Sequence, residues 1–275
     1  MKKAKKSLID TKSNLPILSV ITIVRNGEDI IENTILSVIN QNYQNIEYIV
    51  IDGNSNDGTV DIIKKYEDKI SFWISETDNG IYDAMNKGIS KAKGGFLNFM
   101  NAGDVFIDSD ICQVVANHIL KKECDIFYGD YIAKSDTNNV EKLLKAKSLD
   151  KIWQGMVFCH QSAFIKLSDL KKIPFDLKYE IVADYNQILL FYSYNKKFHY
   201  ISTVISKVAI GGVSYSNPKT IIEQIKIIHS HRPYSLTILR YMAPLIISAI
   251  IAIIGAKKTS YLREFKWRFF SNIKH

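Results

Sequence analysis

Cysteine is scarce in this 275-residue chain: there are three, Cys112, Cys124 and Cys159, an odd number with no CxxC spacing. A disulfide framework is thereby excluded, and the three read as reduced, buried thiols of a cytosolic protein. An apolar signal region is also missing. Met1-Lys2-Lys3-Ala4-Lys5-Lys6 carries the charge of a secretory leader, but Asp10, Lys12 and Asn14 break the stretch where its apolar core would stand, so secretion is not expected. No GxGxxG comes after the first apolar run, which argues against a dinucleotide-dependent oxidoreductase. There is no internal repeat and no low-complexity segment. Acids are rare in one place: Ser216–His275 holds ten Lys/Arg against Glu223 and Glu264, while the first 215 residues carry 26 basic and 26 acidic groups. The net charge of +8 therefore sits in the tail, as for a segment drawn to an anionic surface. Its basic groups flank an apolar stretch and do not alternate with aromatic platforms, so nucleic acid is not an expected partner.

The chain has ample material for a core, with 47% apolar and 23% charged residues. Two apolar runs break off into acidic loops: Ile46–Ile51 into Asp52-Gly53-Asn54-Ser55-Asn56-Asp57-Gly58-Thr59, and Gly94–Met100 into Asn101-Ala102-Gly103-Asp104. β-Branched and aromatic runs bounded by Gly, Asn and Asp read as strands. Pro16–Val24, Phe72–Ile74, Asp125–Tyr131, Val157–Ile165 and Phe198–Val208 read likewise. Helical spacing is predicted over 29–41, from Thr59, over Ile81–Ala92, over 108–122, and between Asp176 and Tyr194 after a loop. The segment 134–147 reads as a loop or edge hairpin. Strand–helix alternation of this kind means parallel β/α units around a buried sheet, an α/β fold. Such sheets bind ligands at the carboxyl ends of their strands. An acid at one strand end can read a ribose or base, and an acid at another can hold a divalent cation against a diphosphate. Asp57 reads as a cap of the helix after it.

The chain divides into a polar N-terminus (1–15), two stretches of the α/β pattern (16–107 and 108–215) and a basic, apolar helical tail (216–275). Within the tail, Tyr241–Ala256 carries no charge. As a helix it spans about 24 Å, short of the roughly 30 Å hydrocarbon core of a bilayer, and Pro244 interrupts it. Tyr261, Leu262, Phe265 and Phe269 come next at helical spacing beside Arg263, Lys266 and Arg268. A buried core helix, a membrane span and an interfacial anchor are the three readings; the basic amphipathic pattern favours the anchor, with 240–275 on an anionic membrane.

The order of motifs over Ile17–Asp104 resembles the nucleotide-sugar-binding half of a family 2 glycosyltransferase with a GT-A fold. Ser19–Asn26, Tyr48–Thr59, Asp78–Gly88 and Phe99–Asp104 carry the resemblance. Tyr128-Gly129-Asp130, His160-Gln161, Ala183-Asp184-Tyr185 and Gly211-Gly212-Val213-Ser214 resemble the subgroup acting in O-antigen and capsule assembly. The resemblance implies a GT-A, mostly parallel sheet flanked by helices, with 16–107 as the nucleotide-sugar-binding half and 108–215 as the acceptor-binding half. It implies donor contacts from Thr22, Arg25, Asn26, Asp52, Asp78, Asp83, Asn86, Asn101 and Asp104, with Asp104 holding Mn²⁺ or Mg²⁺. Where the family pattern has two acids, this chain has Gly103 before Asp104. The resemblance also implies Asp184 as catalytic base, acceptor contacts from Asp130, His160 and Gln161, and a flap at Gly211 and Gly212. The implied activity is inverting transfer of a hexose, UDP-galactose or UDP-glucose first, to GlcNAc or GalNAc on undecaprenyl diphosphate. The implied location is the cytoplasmic face of the inner membrane, peripheral or monotopic. A homo-oligomer is compatible with all of this. The alternative is a non-catalytic nucleotide- or glycan-binding scaffold, which Gly103 permits.

Overall fold

A computed structural model describes residues 15–135, 140–210 and 217–232. Strand β1 (Leu18–Val24) is buried along its whole length. It pairs in parallel with β2 (Ile46–Asp52) on one side and β4 (Phe96–Phe99) on the other, and β2 pairs in parallel with β3 (Phe72–Ser75). Successive side chains of a strand face opposite ways, and the sheet divides its apolar residues accordingly. Leu18, Val20, Tyr48 and Val50 pack with Ile31, Ile35 and Val38 of α1 (Ile31–Ile39), Ile63 of α2 (Thr59–Lys65) and Val115 of α4 (Ile111–Lys121). Ile21, Ile23, Ile49 and Ile51 pack on the other face with Met85 and Ile89 of α3 (Ile81–Lys91) and Ile188 and Leu189 of α6 (Ala183–Ser193). Burial on both faces explains why β1 and β2 read as continuous apolar runs.

Beyond β4 the sheet becomes mixed. Strand β8 (Ala163–Lys166) runs antiparallel to β4 and to β6 (Ile126–Ser135). The long β9 (Phe198–Ile210) runs parallel to β6, with a register shift at Asp130, and β5 (Val105–Phe106) runs antiparallel to β9. The order is β3-β2-β1-β4-β8-β6-β9-β5, with β7 (Glu141–Leu144) paired to β6, so 134–147 contains the edge hairpin. The two halves of the chain thus share one sheet. The helices α5 (Leu167–Lys172) and α7 (Pro218–His231) pack on the α3 face.

One expected strand is corrected. Of Val157–Ile165, only the part from Ala163 is strand, and His160–Ser162 forms a 3₁₀ turn. The cause is tertiary: Asn98 in β4 donates from Nδ2 to the carbonyls of Gln161 and Ala163, both at 2.9 Å, and draws the chain out of an extended path. The two-residue β5 and the six-residue α5 were not expected; elements this short carry too few periods to show a pattern. Gly211, Gly212, the N-terminal segment 1–14 and the tail from 233 onward lie outside the described residues. Among the described residues no helix is long and apolar enough to cross a membrane.

Helix α3 approaches β1 through Gly88, where a Cβ would sit 2.7 Å from Ile21 Cγ2 and 2.9 Å from its Cδ1. Gly88→Ala gains about 1 kcal/mol of helix propensity but overpacks this contact by about 1–3 kcal/mol. The net expectation is a loss of roughly 1 kcal/mol, read as a lower midpoint in urea unfolding; a gain in stability would show that the α3–β1 contact is loose.

Candidate active site

The carboxyl ends of β1 to β4 lie along one edge of the sheet, and the loops there gather most of the polar residues singled out in the sequence. After β4 the chain turns through Gly103, whose φ of +94° lies in the left-handed region that favours glycine. Thr34 straps the turn: its Oγ1 accepts from Gly103 N at 3.0 Å and donates to the Asp104 carbonyl at 2.8 Å. Asp104 is thereby carried inward and is only 6% exposed. Its Oδ2 accepts from Gln161 Nε2 at 2.7 Å, and its Oδ1 accepts from the backbone N–H of Ala209 in β9 at 3.0 Å. Burial pushes this carboxyl up to about 6, against the lowering pull of the Ala209 N–H, the Gln161 amide and the charge of His160.

His160 and Gln161 are neighbours on the turn that Asn98 holds. The Cys159 thiol donates to Gln161 Oε1 at 2.6 Å, which leaves Nε2 facing Asp104. His160 points the other way: its Nδ1 lies 3.2 Å from Asp184 Oδ2, and its Nε2 lies 3.3 Å from Asn101 Nδ2. A carboxylate can only accept, so Nδ1 carries the proton and, in the neutral ring, Nε2 accepts from Asn101. Asp184, in the first turn of α6, also accepts at Oδ1 from its neighbour's backbone, Tyr185 N, at 2.8 Å. The Tyr82 hydroxyl shares its one hydrogen between Asp184 Oδ1 at 3.0 Å and the Ile181 carbonyl at 2.7 Å. Burial works to raise the Asp184 pKa. The hydrogen bond and charge of His160 outweigh it, with help from Tyr185 N–H and the Tyr82 hydroxyl, and hold the group below its ordinary value. Asp184 is therefore ionised at neutral pH, and its side chain remains 17% exposed.

Asp104, Gln161, His160, Asn101 and Asp184 thus form one connected cluster. The remaining residues fall around it or away from it. Arg25 is exposed and, among the described residues, in no ion pair; with Asp78 it flanks Gly53, where a Cβ would lie 3.3 Å from Arg25 Cβ and 2.5 Å from Asp78 Oδ2. Asp78 accepts from Gly80 N, and Asp83 from Asn79 N, so both shape the start of α3. Asn26, at φ +51°, accepts from Asn56 N and fixes the β1 loop to the β2 loop. Asp57 accepts from Thr59 N and Oγ1 at the entry to α2, as a cap does.

Three residues have their polar groups bonded within the protein. Thr22 is fully buried; its hydroxyl donates to the Met100 carbonyl and meets Tyr48 Oη, so it ties β1 to its neighbours. Asn86 spends both ends of its amide on the backbone of Phe175. Asp52 is fully buried and accepts from Ser55 N, Ser55 Oγ and Ser75 Oγ, which makes it the organiser of the Gly53–Ser55 turn. Asp130 stands apart from the cluster, accepting from Ala146 N and the Tyr200 hydroxyl. The sequence reading missed Tyr82 and Asn98. The signal for Asn98 was an amide inside an otherwise apolar strand; Tyr82 gave none.

Among the described residues no three His, Cys, Asp or Glu side chains converge on a metal position. The donors present still fit a cation shared with a diphosphate. Asp104 has lone pairs beyond its two hydrogen bonds, and Asn101 Oδ1 in the same loop is buried with no partner. Both are hard oxygens of the kind Mg²⁺ and Mn²⁺ take.

The sequence profile of "Glycosyl transferase family 2" matches residues 19–176, more than half of the chain. The chain belongs to this family. An uncharacterised glycosyltransferase of Haemophilus influenzae is 30% identical over 213 residues, covering 75% of this chain and 84% of its own. A PGL/p-HBAD biosynthesis glycosyltransferase of Mycobacterium bovis is 31% identical over 176 residues, 62% of this chain and 68% of its own. Among solved structures, S. aureus TarS superposes with a TM-score of 0.64 at 16% identity over 84% of this chain, which spans 43% of TarS. The mannosyltransferase PcManGT of Pyrobaculum calidifontis, in complex with GDP-Man and Mn²⁺, gives 0.61 at 15% identity, covering 92% of this chain and 80% of its own. At these identities the two structures establish the GT-A-like fold. The cluster between Asp104 and Asp184 is therefore part of a glycosyltransferase.

The buried carboxylate of this transferase has a measurable cost. Its folded pKa of about 6 lies above the ordinary value of 3.8, so the ionised form is disfavoured in the fold. Stability is then fullest below about pH 4 and falls as pH rises through 6. In metal-free buffer the parent should lose roughly 1–1.5 kcal/mol more stability than Asp104→Asn between pH 5 and pH 7.5, because the amide cannot ionise. The absolute stabilities do not enter, since asparagine has one acceptor atom where two N–H groups meet Asp104. Urea unfolding at the two pH values checks this; an equal pH dependence in the two proteins would contradict it.

Proposed function

We propose that this transferase moves a hexose from a UDP-sugar to a hydroxyl of a lipid-diphosphate-linked sugar, with inversion, in O-antigen or capsule assembly. The observation that carries the reading is the link from Asp184 to Asp104 through two consecutive side chains, His160 and Gln161. Asp184 accepts the proton of the attacking hydroxyl as its oxygen bonds to the anomeric carbon and the bond to the diphosphate breaks. His160 holds Asp184 ionised and fixes Oδ2; Tyr82 and Tyr185 N hold Oδ1. Asn101 and Asp104 would hold Mn²⁺ or Mg²⁺, which would offset the charge that develops on the departing nucleoside diphosphate. Arg25 would meet the donor; its exposure at the same strand ends, without an acid partner among the described residues, supports this.

A nucleoside diphosphate leaving group is supported by S. aureus TarS, which has been solved with UDP and with UDP-GlcNAc, and by PcManGT, solved with GDP-Man. UDP-galactose and UDP-glucose are the first donors to test, and GlcNAc or GalNAc on undecaprenyl diphosphate the first acceptors. The lipid acceptor rests on the tail, whose residues 240–275 combine apolar and basic groups suited to the cytoplasmic face of an anionic membrane. A binding scaffold without turnover is the second reading. Gly103 favours it, because it removes one of the two acids of the family pattern.

The two separate in one assay: purified protein, UDP-sugar, Mn²⁺ and a synthetic lipid-diphosphate acceptor, read by product mass and anomeric configuration. A β-linked product is expected, with Asp184→Asn lowering turnover about 10²–10⁴-fold and leaving donor binding within about threefold. Donor binding without product across these donors and acceptors would leave the scaffold reading.

A further inference from the structure

Helix α7 lies beyond the family-matched segment and contributes one acid, Glu223, which is 3% exposed. No Lys or Arg among the described residues pairs with it. Its carboxylate instead receives three successive backbone N–H groups: Glu180 N at Oε1, 3.0 Å, and Ile181 N and Val182 N at Oε2, 3.0 and 3.2 Å. These three residues are the last before α6, and Asp184 is the second residue of α6. A buried carboxylate accepting three amides is a strong, directional clamp. The chain that it clamps also presents the Ile181 carbonyl to the Tyr82 hydroxyl, the same hydroxyl that reaches Asp184.

The helix itself is firmly seated. Ile227 and Ile228 are fully buried in the α3-face core, and Asn217 caps the helix by accepting from Lys219 N at 2.9 Å. At its far end the Arg232 guanidinium lies 3.9 Å above the Trp153 ring. The clamp therefore has a rigid side, α7, and a side that carries the base.

We propose that Glu223 is a positioning residue for the transfer reaction: it fixes the Glu180–Val182 turn and, through the Ile181 carbonyl and the Tyr82 hydroxyl, the orientation of Asp184. The helix that leads into the basic tail then belongs to the catalytic apparatus, although the residues that it contacts lie in the loop before α6. This rests on the reading of Asp184 as the base. Glutamine at 223 keeps the size of the side chain but has only one acceptor atom, and its NH₂ would face N–H groups that need an acceptor.

The test is a double-mutant cycle on the full chain: Glu223→Gln, Asp184→Asn and both together, with kcat, donor KM, donor-binding stoichiometry and thermal unfolding measured for each. Glu223→Gln should lower kcat at least tenfold, with donor KM and stoichiometry within twofold of the parent. In the Asp184→Asn background it should cost less than twofold more, since the group it positions is already gone. An equal loss in both backgrounds, or a stoichiometry that falls in step with kcat, would make Glu223 merely structural and overturn the proposal. If Glu223→Gln does not unfold cooperatively, Tyr82→Phe cuts the same path one step later. It should lower kcat at least fivefold with donor binding kept, and parental kcat would overturn the proposal. Asp184→Asn at the parental rate would remove the base assignment itself, an outcome distinct from additive losses on an inactive Asp184→Asn background.

Discussion

The 3₁₀ turn His160–Ser162 sets two side chains back to back, and the geometry of the site depends on it. Gln161 faces Asp104 and His160 faces Asp184, so a single turn spaces the two carboxylates. Asn98 in β4 holds the turn by taking one of its carbonyls, Gln161, together with that of Ala163 at the start of β8, in a region where no solvent competes. Leaving those carbonyls unpaired in the interior would cost more than the hydrogen bonds contribute in net stability. The constraint therefore runs from the sheet to the chemistry: a polar residue inside a strand shapes a turn, and the turn orients an amide and an imidazole.

The two carboxylates are pushed in opposite directions by their surroundings. Asp104 is buried among neutral donors, and burial dominates, which raises it to about 6. Asp184 is half-buried, but His160 adds a hydrogen bond and a charge, and the result is a lowered pKa. Pairs of titratable groups with pKa values driven apart are a recurring sign of divided chemical roles. A base for the proposed transfer must be ionised before the acceptor arrives, and Asp184 meets that requirement. A group at Asp104 that resists carrying its charge alone suits a position whose charge is balanced by a ligand.

Much of this architecture was legible in the chain. The four strands β1 to β4 and the helices between them emerge from apolar runs and periodic faces, and the acids at the strand ends from Gly/Asn/Asp loops. What was not legible was how the polar groups are spent. Thr22, Asp52 and Asn86 sit inside motifs that point to a ligand, yet their hydrogen-bonding capacity goes to Met100, Ser55 with Ser75, and Phe175. Motif position fixes where a side chain stands along the strand; its partners come from residues tens of positions away. Tyr82 shows the converse: an apolar-face residue of α3 whose hydroxyl reaches the loop before α6, about a hundred residues on.

Gly103 can be understood on the same terms. The chain leaving β4 must turn back under Thr34, and at a φ of +94° a side chain is strained whatever space surrounds it. An aspartate there would also set a second carboxylate next to Asp104, which already resists ionisation without a cation. Like charges at such a distance raise both pKa values further. With glycine, the loop adopts its tight turn, and Asp104 is drawn in far enough for Gln161 and the β9 backbone to grip both of its oxygens. The loop then has one carboxylate held at both oxygens, and under the proposed function the further charge that a metal needs would come from the diphosphate of the donor.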